Sequence, residues 1–318
     1  MAIQTQRGKA FEYACLKAIY DCLILNQEVI IEETDAYKTA KRFYESLDKT
    51  LTEKMDCGAK AAIKIIRRLE PLLENSDDNS PLFLIIQEDS MGMSGDVRDV
   101  ICIRKQNGWN IGLSCKHNHT AVKHSRLSQT IDFGEKWFGK NCSPAYFLSI
   151  DPVFKRLLAY KNMLMKWEEV QDKEDVVYVP LLNEFTNELM RLDKQYPEEI
   201  PGELVRYLLG RNDFYKVITN DSKKITTIQA FNISGTLNRA SKLVKPIHKI
   251  QQLALPTKFY NISYKKNSGN TIIVTCDGGW SFSFRIHNAS KSVEPSLKFD
   301  VQITGMPPEL HTQIEPWE

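Results

Sequence analysis

The sequence predicts an α/β protein with a mixed sheet flanked by helices, a helical middle and a C-terminal β-rich region. Three observations support this prediction. In the first 75 residues apolar positions recur at helical spacing, residues 81–116 are rich in strand-forming residues, and the last hundred residues return to short strands separated by Gly, Asn and Pro. The resulting order is α-β-α-β, which is typical of an α/β core with an attached β-rich region.

The N-terminal elements follow from this periodicity. A first helix is expected in residues 8–25, where Phe11, Cys15, Ala18, Ile19 and Cys22 share one face. Further helices are expected at about 34–47 and 59–73. A polar stretch at 74–80 then precedes a strand at 81–86 and the β-rich segment 96–116.

The remaining elements divide the chain into three consecutive segments. A helix is expected at 125–139 with Gly139 as its C-cap, and helices fill roughly 151–209. Near the C-terminus Trp280, Phe282, Phe284 and Ile286 alternate with polar residues, as do Leu297, Phe299, Val301 and Ile303 in the next strand. Two such strands predict an antiparallel pair with one polar face. The expected boundaries are 1–150, 151–210 and 211–318.

Composition excludes several classes of protein. The chain has 42% hydrophobic and 26% charged residues, as soluble globular proteins do, and no apolar run approaches the roughly 18–20 residues of a membrane span. An N-terminus without an apolar segment and seven cysteines without a CxxC pair predict a cytoplasmic protein with reduced thiols. No GxxxxGK[ST] motif occurs, so ATP-driven chemistry is not expected.

Charge is distributed unevenly along the chain. Residues 211–318 carry 14 Lys and Arg against 8 Asp and Glu, whereas residues 1–210 carry 28 against 32. A basic C-terminal third suits a surface that binds a polyanion, beside a carboxylate-rich region. Chance fluctuation explains the same asymmetry equally well.

The most informative stretch is the hairpin at residues 95–116. Asn107-Gly108 between two β-prone runs predicts a two-residue type I′ turn, in which Gln106 would pair with Trp109. That register would set Asp99 directly opposite Lys116. Strand alternation places Ser114 on the same face as Lys116.

An acid at the start of one strand and a polar-x-Lys tripeptide at the end of the next is the layout of the PD-(D/E)xK nucleases. Asp99, Ser114 and Lys116 are therefore the candidate catalytic residues of a nuclease-like core. Mg²⁺ takes oxygen ligands, here the Asp99 carboxylate and the backbone carbonyl of Cys115. The bound cation would polarise the phosphate and lower the pKa of a bound water, while Lys116 orients that water.

The hairpin departs from the motif in one respect, because Ser114 replaces the usual second acid. Either its hydroxyl contributes through water, or another carboxylate compensates, with Asp96 and Glu12 as candidate metal ligands. The alternative is that Asp99 and Lys116 form an ordinary cross-strand ion pair. Glu12 also has an ordinary explanation, since acids favour the first turn of a helix.

The residues around the hairpin resemble a known family. Gly95-Asp96-Val97-Arg98-Asp99, the run from Ser114 to Ser128, the segment 132–137 and the opening at 8–13 are similar to the HaeIII family of type II restriction endonucleases. A looser match at 283–290 resembles a motif of several restriction enzymes. The resemblance implies Mg²⁺-dependent, blunt cleavage of duplex DNA at GGCC. It also implies a homodimer on the palindromic site, and a cognate methyltransferase that shares the cell but is not a binding partner.

On this interpretation the segment 1–150 is the catalytic core and 211–318 is the DNA-recognition region. The candidate DNA-binding residues follow the catalytic strand or lie on the polar face of the C-terminal strands: His117, His119, Lys123, His124, Arg126, Arg285, His287, Asn288 and Asp300. Arg, His, Asp and Asn side chains are suited to reading base edges. For the histidine run the alternatives are a zinc site, although no paired cysteines stand nearby, and an ordinary solvated or capping role.

Two competing functions remain open at this point. A structure-selective or repair nuclease of the same fold would cut without a fixed site. A non-catalytic DNA-binding protein would need no acid and lysine at a strand end, and no helix-turn-helix or zinc-finger pattern is present.

Overall fold

The computed structural model describes residues 3–74, 79–88, 95–118 and 122–318, except for the side chains of Lys123 and His124. The chain forms two compact units, each assembled from separated segments. Unit 1 comprises residues 1–120, 210–253 and 309–318, and unit 2 comprises residues 121–209 and 254–308. These boundaries differ from the three consecutive segments expected, whereas the functions assigned to those segments stay predictions.

Unit 1 begins with three helices, α1 (Ile3–Leu23), α2 (Asp35–Glu45) and α3 (Lys49–Leu69). Helix α2 begins at the N-cap Thr34 and α3 at the N-cap Asp48, whose side chains accept hydrogen bonds from the backbone N–H of Tyr37 and Leu51. The apolar face of α1 packs on the sheet and includes Phe11, Cys15 and Ile19. The three expected helices are therefore confirmed, although α3 begins ten residues earlier.

The described part of unit 1 contains a seven-stranded mixed sheet in the order β1-β2-β3-β4-β6-β7-β12. Its strands are β1 (Val29–Glu32), β2 (Leu82–Ile86), β3 (Val100–Arg104), β4 (Trp109–His117), β6 (Phe214–Asn220), β7 (Ile225–Phe231) and β12 (Thr312–Pro316). Strand β4 runs antiparallel to β3 and parallel to β6. The hairpin β3–β4 therefore lies in the interior of the sheet.

The predicted register of this hairpin was wrong by two residues. Arg104 pairs with Trp109, so the loop contains four residues, 105–108. A type I′ turn needs positive φ at both central residues, and here only Gly108 has it, at +65°. Asn107 instead accepts a hydrogen bond from the backbone N–H of Trp109 at 2.9 Å.

The shift leaves the face of each residue unchanged. Val100 pairs with Leu113, and the backbone N–H of Asp99 donates to the Leu113 carbonyl, so Asp99 is not the register partner of Lys116. Because side chains alternate with a period of two, an even shift keeps Asp99, Ser114 and Lys116 on one face. A three-residue loop would have separated them.

Unit 2 contains a second sheet, which is entirely antiparallel, in the order β5-β11-β10-β9-β8. Its strands are β5 (Lys123–Ser128), β8 (Phe259–Tyr264), β9 (Thr271–Cys276), β10 (Ser281–His287) and β11 (Ser296–Gly305). Its helices are α4 (Phe133–Phe138), α5 (Pro144–Asn162), α6 (Val179–Gln195) and α7 (Ile200–Leu209). The buried rings of Phe133, Trp137, Phe185, Phe284 and Phe299 pack together as its aromatic core.

The expected pairing of the two amphipathic C-terminal strands is confirmed. Phe284 pairs with Val301 and Arg285 with Asp300, and one face of the pair is buried while the other is polar. The expected helix at 125–139 was wrong in its first half. Residues 123–128 form β5, in which Ser125 and Leu127 are buried and Arg126 is exposed, the two-residue period of a strand. Gly139 does cap α4, with φ of +66°.

The strands after residue 210 do not form one separate region. Strands β6, β7 and β12 belong to the sheet of unit 1, and β8 to β11 belong to the sheet of unit 2. Sequence periodicity identifies a strand but carries no information on which distant strand it joins. In the described parts of the chain, no helix has the length and apolar character of a membrane span.

Candidate active site

Asp99 and Lys116 meet at the end of the β3–β4 hairpin. The Lys116 Nζ lies 3.3 Å from Asp99 Oδ2, and both side chains are about three-quarters buried. The same carboxylate oxygen accepts a 2.6 Å hydrogen bond from the backbone N–H of Cys115. Burial opposes the charge of Lys116, but the combined effect of Asp99, Cys115 and Glu12 outweighs it and raises the pKa of Lys116. Lys116 therefore carries a positive charge at neutral pH.

The Cys115 carbonyl is expected on the same edge of β4 as the Asp99 carboxylate. In a strand the N–H and C=O of one residue face the same neighbouring strand, and the Cys115 N–H faces Asp99. Strand β3 begins only at Val100, so no strand residue of β3 stands opposite Cys115. Two oxygen donors, one carboxylate and one carbonyl, thus converge at this end of the hairpin.

Glu12 of α1 adds a second carboxylate. It is 6% exposed and forms a 3.0 Å ion pair with Lys9. Burial, followed by the negative charge of Asp99, raises the pKa of Glu12 to about 8. Two carboxylates close enough to repel each other in a buried setting are the arrangement that a divalent cation stabilises.

Ser114 and a lysine that the sequence analysis missed lie side by side. Ser114 is buried, and on the parallel strand β6 its register partner is Lys216, which is 3% exposed. Burial, followed by the charge of Lys116, lowers the pKa of Lys216 to about 8. The only signal in the sequence was a lysine within the strand-forming run Phe-Tyr-Lys-Val-Ile-Thr. Its pairing with β4, a hundred residues away, could not be read from that run.

Asp96, a candidate metal ligand, is paired with an arginine. Both of its carboxylate oxygens accept hydrogen bonds from the Arg98 guanidinium, at 2.8 and 2.6 Å. Burial alone would raise the pKa of Asp96, but Arg98 holds it below its usual value. Arg98 also donates to Asn110 at 2.7 Å and lies directly over Gly112. Asp96 therefore fixes Arg98 on the face that carries Ser114 and Lys116.

The histidine run is only partly described. The His117 ring is largely buried, lies 3.1 Å from Asp221 and packs against Phe11. Burial outweighs the Asp221 carboxylate and lowers the pKa of His117. This placement gives His117 a structural partner and offers no support for contact with DNA. His119 and the side chains of Lys123 and His124 lie outside the described residues.

The other candidate DNA-binding residues belong to unit 2. Arg285 is exposed and lies 3.3 Å from Asp300, and Arg126 pairs with Glu294 at 2.8 Å. The His287 Nδ1 lies 3.0 Å from the backbone carbonyl of Asn288. The Asn288 amide is occupied within its own loop, where it donates to the carbonyls of Ser290 and Ser292 and accepts from the backbone N–H of Glu294.

The donor set at Asp99 is compatible with one metal ion. Across the described residues no group of three or more His, Cys, Asp or Glu side chains is placed to hold a metal. The available ligands are then the carboxylates of Asp99 and Glu12, the Cys115 carbonyl and water. This all-oxygen set fits Mg²⁺, which commonly uses one or two carboxylates and keeps several waters.

Comparison with known proteins identifies the family to which the chain is similar. The family model of the HaeIII restriction endonuclease matches residues 8–307. The chain is also 44% identical, over 311 residues, to the type II restriction enzyme HaeIII of Haemophilus aegyptius. That alignment covers 98% of this chain and 97% of the relative. No solved structure matches the chain.

Together these findings define the chain as a type II restriction endonuclease, a site-specific phosphodiester hydrolase that acts on double-stranded DNA. It belongs to the HaeIII restriction endonuclease family. The resemblance inferred from residues 8–137 is thereby confirmed and extends over nearly the whole chain. Enzymes of this type generally use divalent metal ions, in agreement with the oxygen donors gathered around Asp99.

Proposed function

We propose that the chain cleaves duplex DNA at a short palindromic site, GGCC with blunt ends, and that Asp99, Glu12, Cys115 and Lys116 form a Mg²⁺-dependent active site of the PD-(D/E)xK type. The contact between Asp99 and Lys116 at the end of two neighbouring strands carries this proposal. The site sequence rests on the similarity to the HaeIII enzyme and not on any contact in this chain.

The metal ion would be held by Asp99, Glu12 and the Cys115 carbonyl. When bound, it supplies a positive charge that polarises the phosphodiester and activates water. Before it binds, the Glu12 carboxylate is destabilised by burial and by Asp99. Metal binding therefore removes an unfavourable interaction that the folded protein already contains. Ser114 is neutral and would act through a water molecule.

Lys116 holds the attacking water and offsets the charge that develops on the phosphate. Hydrolysis forms a bond between the water oxygen and phosphorus, and the P–O bond to the leaving sugar oxygen breaks. The leaving oxygen takes a proton, and the attacking water loses one to solvent. A lysine with a raised pKa keeps its charge throughout, so it stabilises the added negative charge rather than acting as the base.

DNA recognition is assigned to the polar face of the sheet in unit 2. Arg285 and His287 of β10 stand beside Asp300 and Lys298 of β11 on that face. Their strands are fixed from behind by the buried Phe284, Ile286 and Phe299. Arginine is the commonest partner of guanine in the major groove, and an acidic side chain can accept from cytosine. A site that must discriminate between bases requires such rigid support.

Two copies of the chain would act together on this site. A palindromic sequence presents the same groups twice, related by a two-fold axis, which favours a homodimer. The methyltransferase that protects the host DNA would recognise the same sequence without binding this protein.

Plasmid digestion tests the proposed function. In Mg²⁺ the chain should give discrete fragments whose sequenced ends lie between the central G and C of GGCC, and Asp99→Ala should give none. A smear would instead indicate a nuclease without a fixed site. Discrete ends at another sequence would refute GGCC and leave the active site intact.

A further inference from the structure

Lys216 is a charged residue of the candidate catalytic face that the motif does not account for. It lies on β6, and its register partner on the adjacent parallel strand is Ser114, the residue in place of the second acid. Partner residues of neighbouring strands project to the same face of a sheet. Lys116 lies on that face two residues further along β4. Two lysines therefore start from adjacent strands at the candidate active site.

The burial of Lys216 is unusual for its residue type. Lysine is rarely fully buried, yet Lys216 is 3% exposed. It also stands close enough to Lys116 for the two ammonium groups to repel, which together with burial lowers the pKa of Lys216. A lysine buried beside a second lysine is an arrangement that a bound anion would stabilise.

The repulsion becomes useful when an anion is bound between the lysines. A phosphodiester carries one negative charge, and a second develops as water attacks it. Two ammonium groups held in a water-poor site stabilise that charge more strongly than the same groups in solvent. The neutral Ser114 matters here, since a carboxylate at that position would form an ion pair with Lys216 and withdraw its charge.

We propose that Lys216 is a second catalytic lysine, which donates a hydrogen bond to a non-bridging oxygen of the scissile phosphate while Lys116 serves the attacking water. This inference rests on the active site proposed above. It adds a residue from β6, which lies outside the β3–β4 hairpin that carries the motif.

The test combines Lys216→Met with sulfur substitution in the DNA. Single-turnover cleavage is measured on duplexes with oxygen or with a phosphorothioate of either configuration at the scissile linkage. Lys216→Met should slow cleavage of the oxygen substrate by about 10- to 100-fold, the value of a hydrogen bond to a charged group. In one of the two configurations sulfur replaces the oxygen that Lys216 contacts, and this should slow cleavage by the wild-type protein. The same sulfur should slow Lys216→Met less, because the variant has already lost that contact.

Control variants distinguish a catalytic role of Lys216 from a structural one. Lys105→Met removes a lysine at the opposite end of the same hairpin, which pairs with Glu32, and should keep the wild-type rate and sulfur effects. Lys216→Gln is measured in parallel, and thermal unfolding and duplex binding in Ca²⁺ report whether each variant folds. Loss of the fold in both Lys216 variants would overturn the proposal in favour of a structural lysine.

Three further results would be decisive. A Lys216→Met protein with the wild-type rate would overturn the proposal. So would a slow variant whose sulfur effects equal those of wild type, since this would make Lys216 a positioning residue. If Asp99→Ala itself cuts at the wild-type rate, the active site is misplaced and the failure belongs to the proposed function instead.

Discussion

The backbone N–H of Cys115 donates a 2.6 Å hydrogen bond to Asp99 Oδ2, the oxygen that also meets Lys116. This hydrogen bond holds the Asp99 carboxylate against β4, the strand that carries Lys116, although Asp99 and Lys116 are not register partners. It also limits the rotation of the Asp99 carboxylate, so its second oxygen keeps a defined direction. The first prediction follows from this arrangement.

Asp99→Ala and Lys116→Ala should each reduce the single-turnover cleavage rate by about 10²- to 10³-fold or more, as expected when a charge at the reacting phosphate is lost. Ser114→Ala should be milder, because a neutral hydroxyl holds a cation weakly. Duplex binding in Ca²⁺ and thermal unfolding serve as controls. An Asp99→Ala protein that cuts normally would show that the chemistry lies elsewhere.

Glu12 should link metal binding to stability and pH. Its pKa in the folded protein, about 8, lies above the ordinary value of 4.5, so ionisation destabilises the metal-free protein. Protonated Glu12 therefore contributes on the order of 2–4 kcal/mol to the free energy of unfolding. This contribution is complete below pH 4.5 and is lost as the pH rises to 8. Without metal, wild-type protein should therefore lose more thermal stability than Glu12→Gln between pH 5 and 8.

The same pair of proteins provides a metal titration. Ca²⁺ should raise the Tm of wild-type protein more at pH 8 than at pH 6, because the ionised Glu12 is then a ligand. Glu12→Gln should show a smaller rise at both pH values. Equal responses from the two proteins would mean that Glu12 does not bind the metal.

Gly112 should resist substitution because Arg98 lies on it. A Cβ at this position would stand 2.0 Å from Arg98 Cδ and 2.7 Å from its Cβ. Gly112→Ala should therefore displace Arg98, weaken its pair with Asp96 and destabilise the fold by about 1–3 kcal/mol in urea denaturation. Gly8→Ala is the matched control, since no atom lies within 4 Å of its Cβ in helix α1. It should be neutral or stabilising by up to about 1 kcal/mol.

Arg285 and Arg126 should differ in what they contribute to DNA binding. Arg285→Ala should cost about 1–3 kcal/mol on the cognate duplex and much less on single-mismatch duplexes, as expected for a base contact. Arg126→Ala should weaken all duplexes alike and lower the salt dependence of binding by about one ion. Both are measured in Ca²⁺. An equal loss on cognate and mismatched DNA would assign Arg285 to the phosphate backbone.

The sequence was sufficient to predict what depends on local pattern. The helices α1 to α3, the amphipathic β10–β11 pair and the common face of Asp99, Ser114 and Lys116 all follow from periodicities of 3.6 or 2 residues. The turn type was misjudged because Asn107 can stabilise a turn in two ways. It can adopt positive φ, or its side chain can accept a hydrogen bond from the backbone N–H of Trp109, as it does here. Strand β5 was misjudged because six residues carry too little periodicity to exclude a helix.

Long-range pairing was beyond local pattern. Lys216 lies beside Ser114 at the candidate active site only because β6 lies parallel to β4, a contact between segments about a hundred residues apart. Asp96 looked like a ligand from its spacing to Asp99, yet Arg98, two residues on, takes both of its oxygens. Side chains that compete for one carboxylate can be ranked only when their positions in space are known.

The interleaving of the two units has a consequence for synthesis of the enzyme. A nascent chain that ends before residue 214 contains the whole β3–β4 hairpin, but it lacks β6, the strand that covers one edge of β4. The outer strand β12 is completed only at Pro316. Ribosome-bound chains should therefore be unable to cut DNA until β6 and β12 have been made, and products truncated before these strands should be harmless to the cell that makes them.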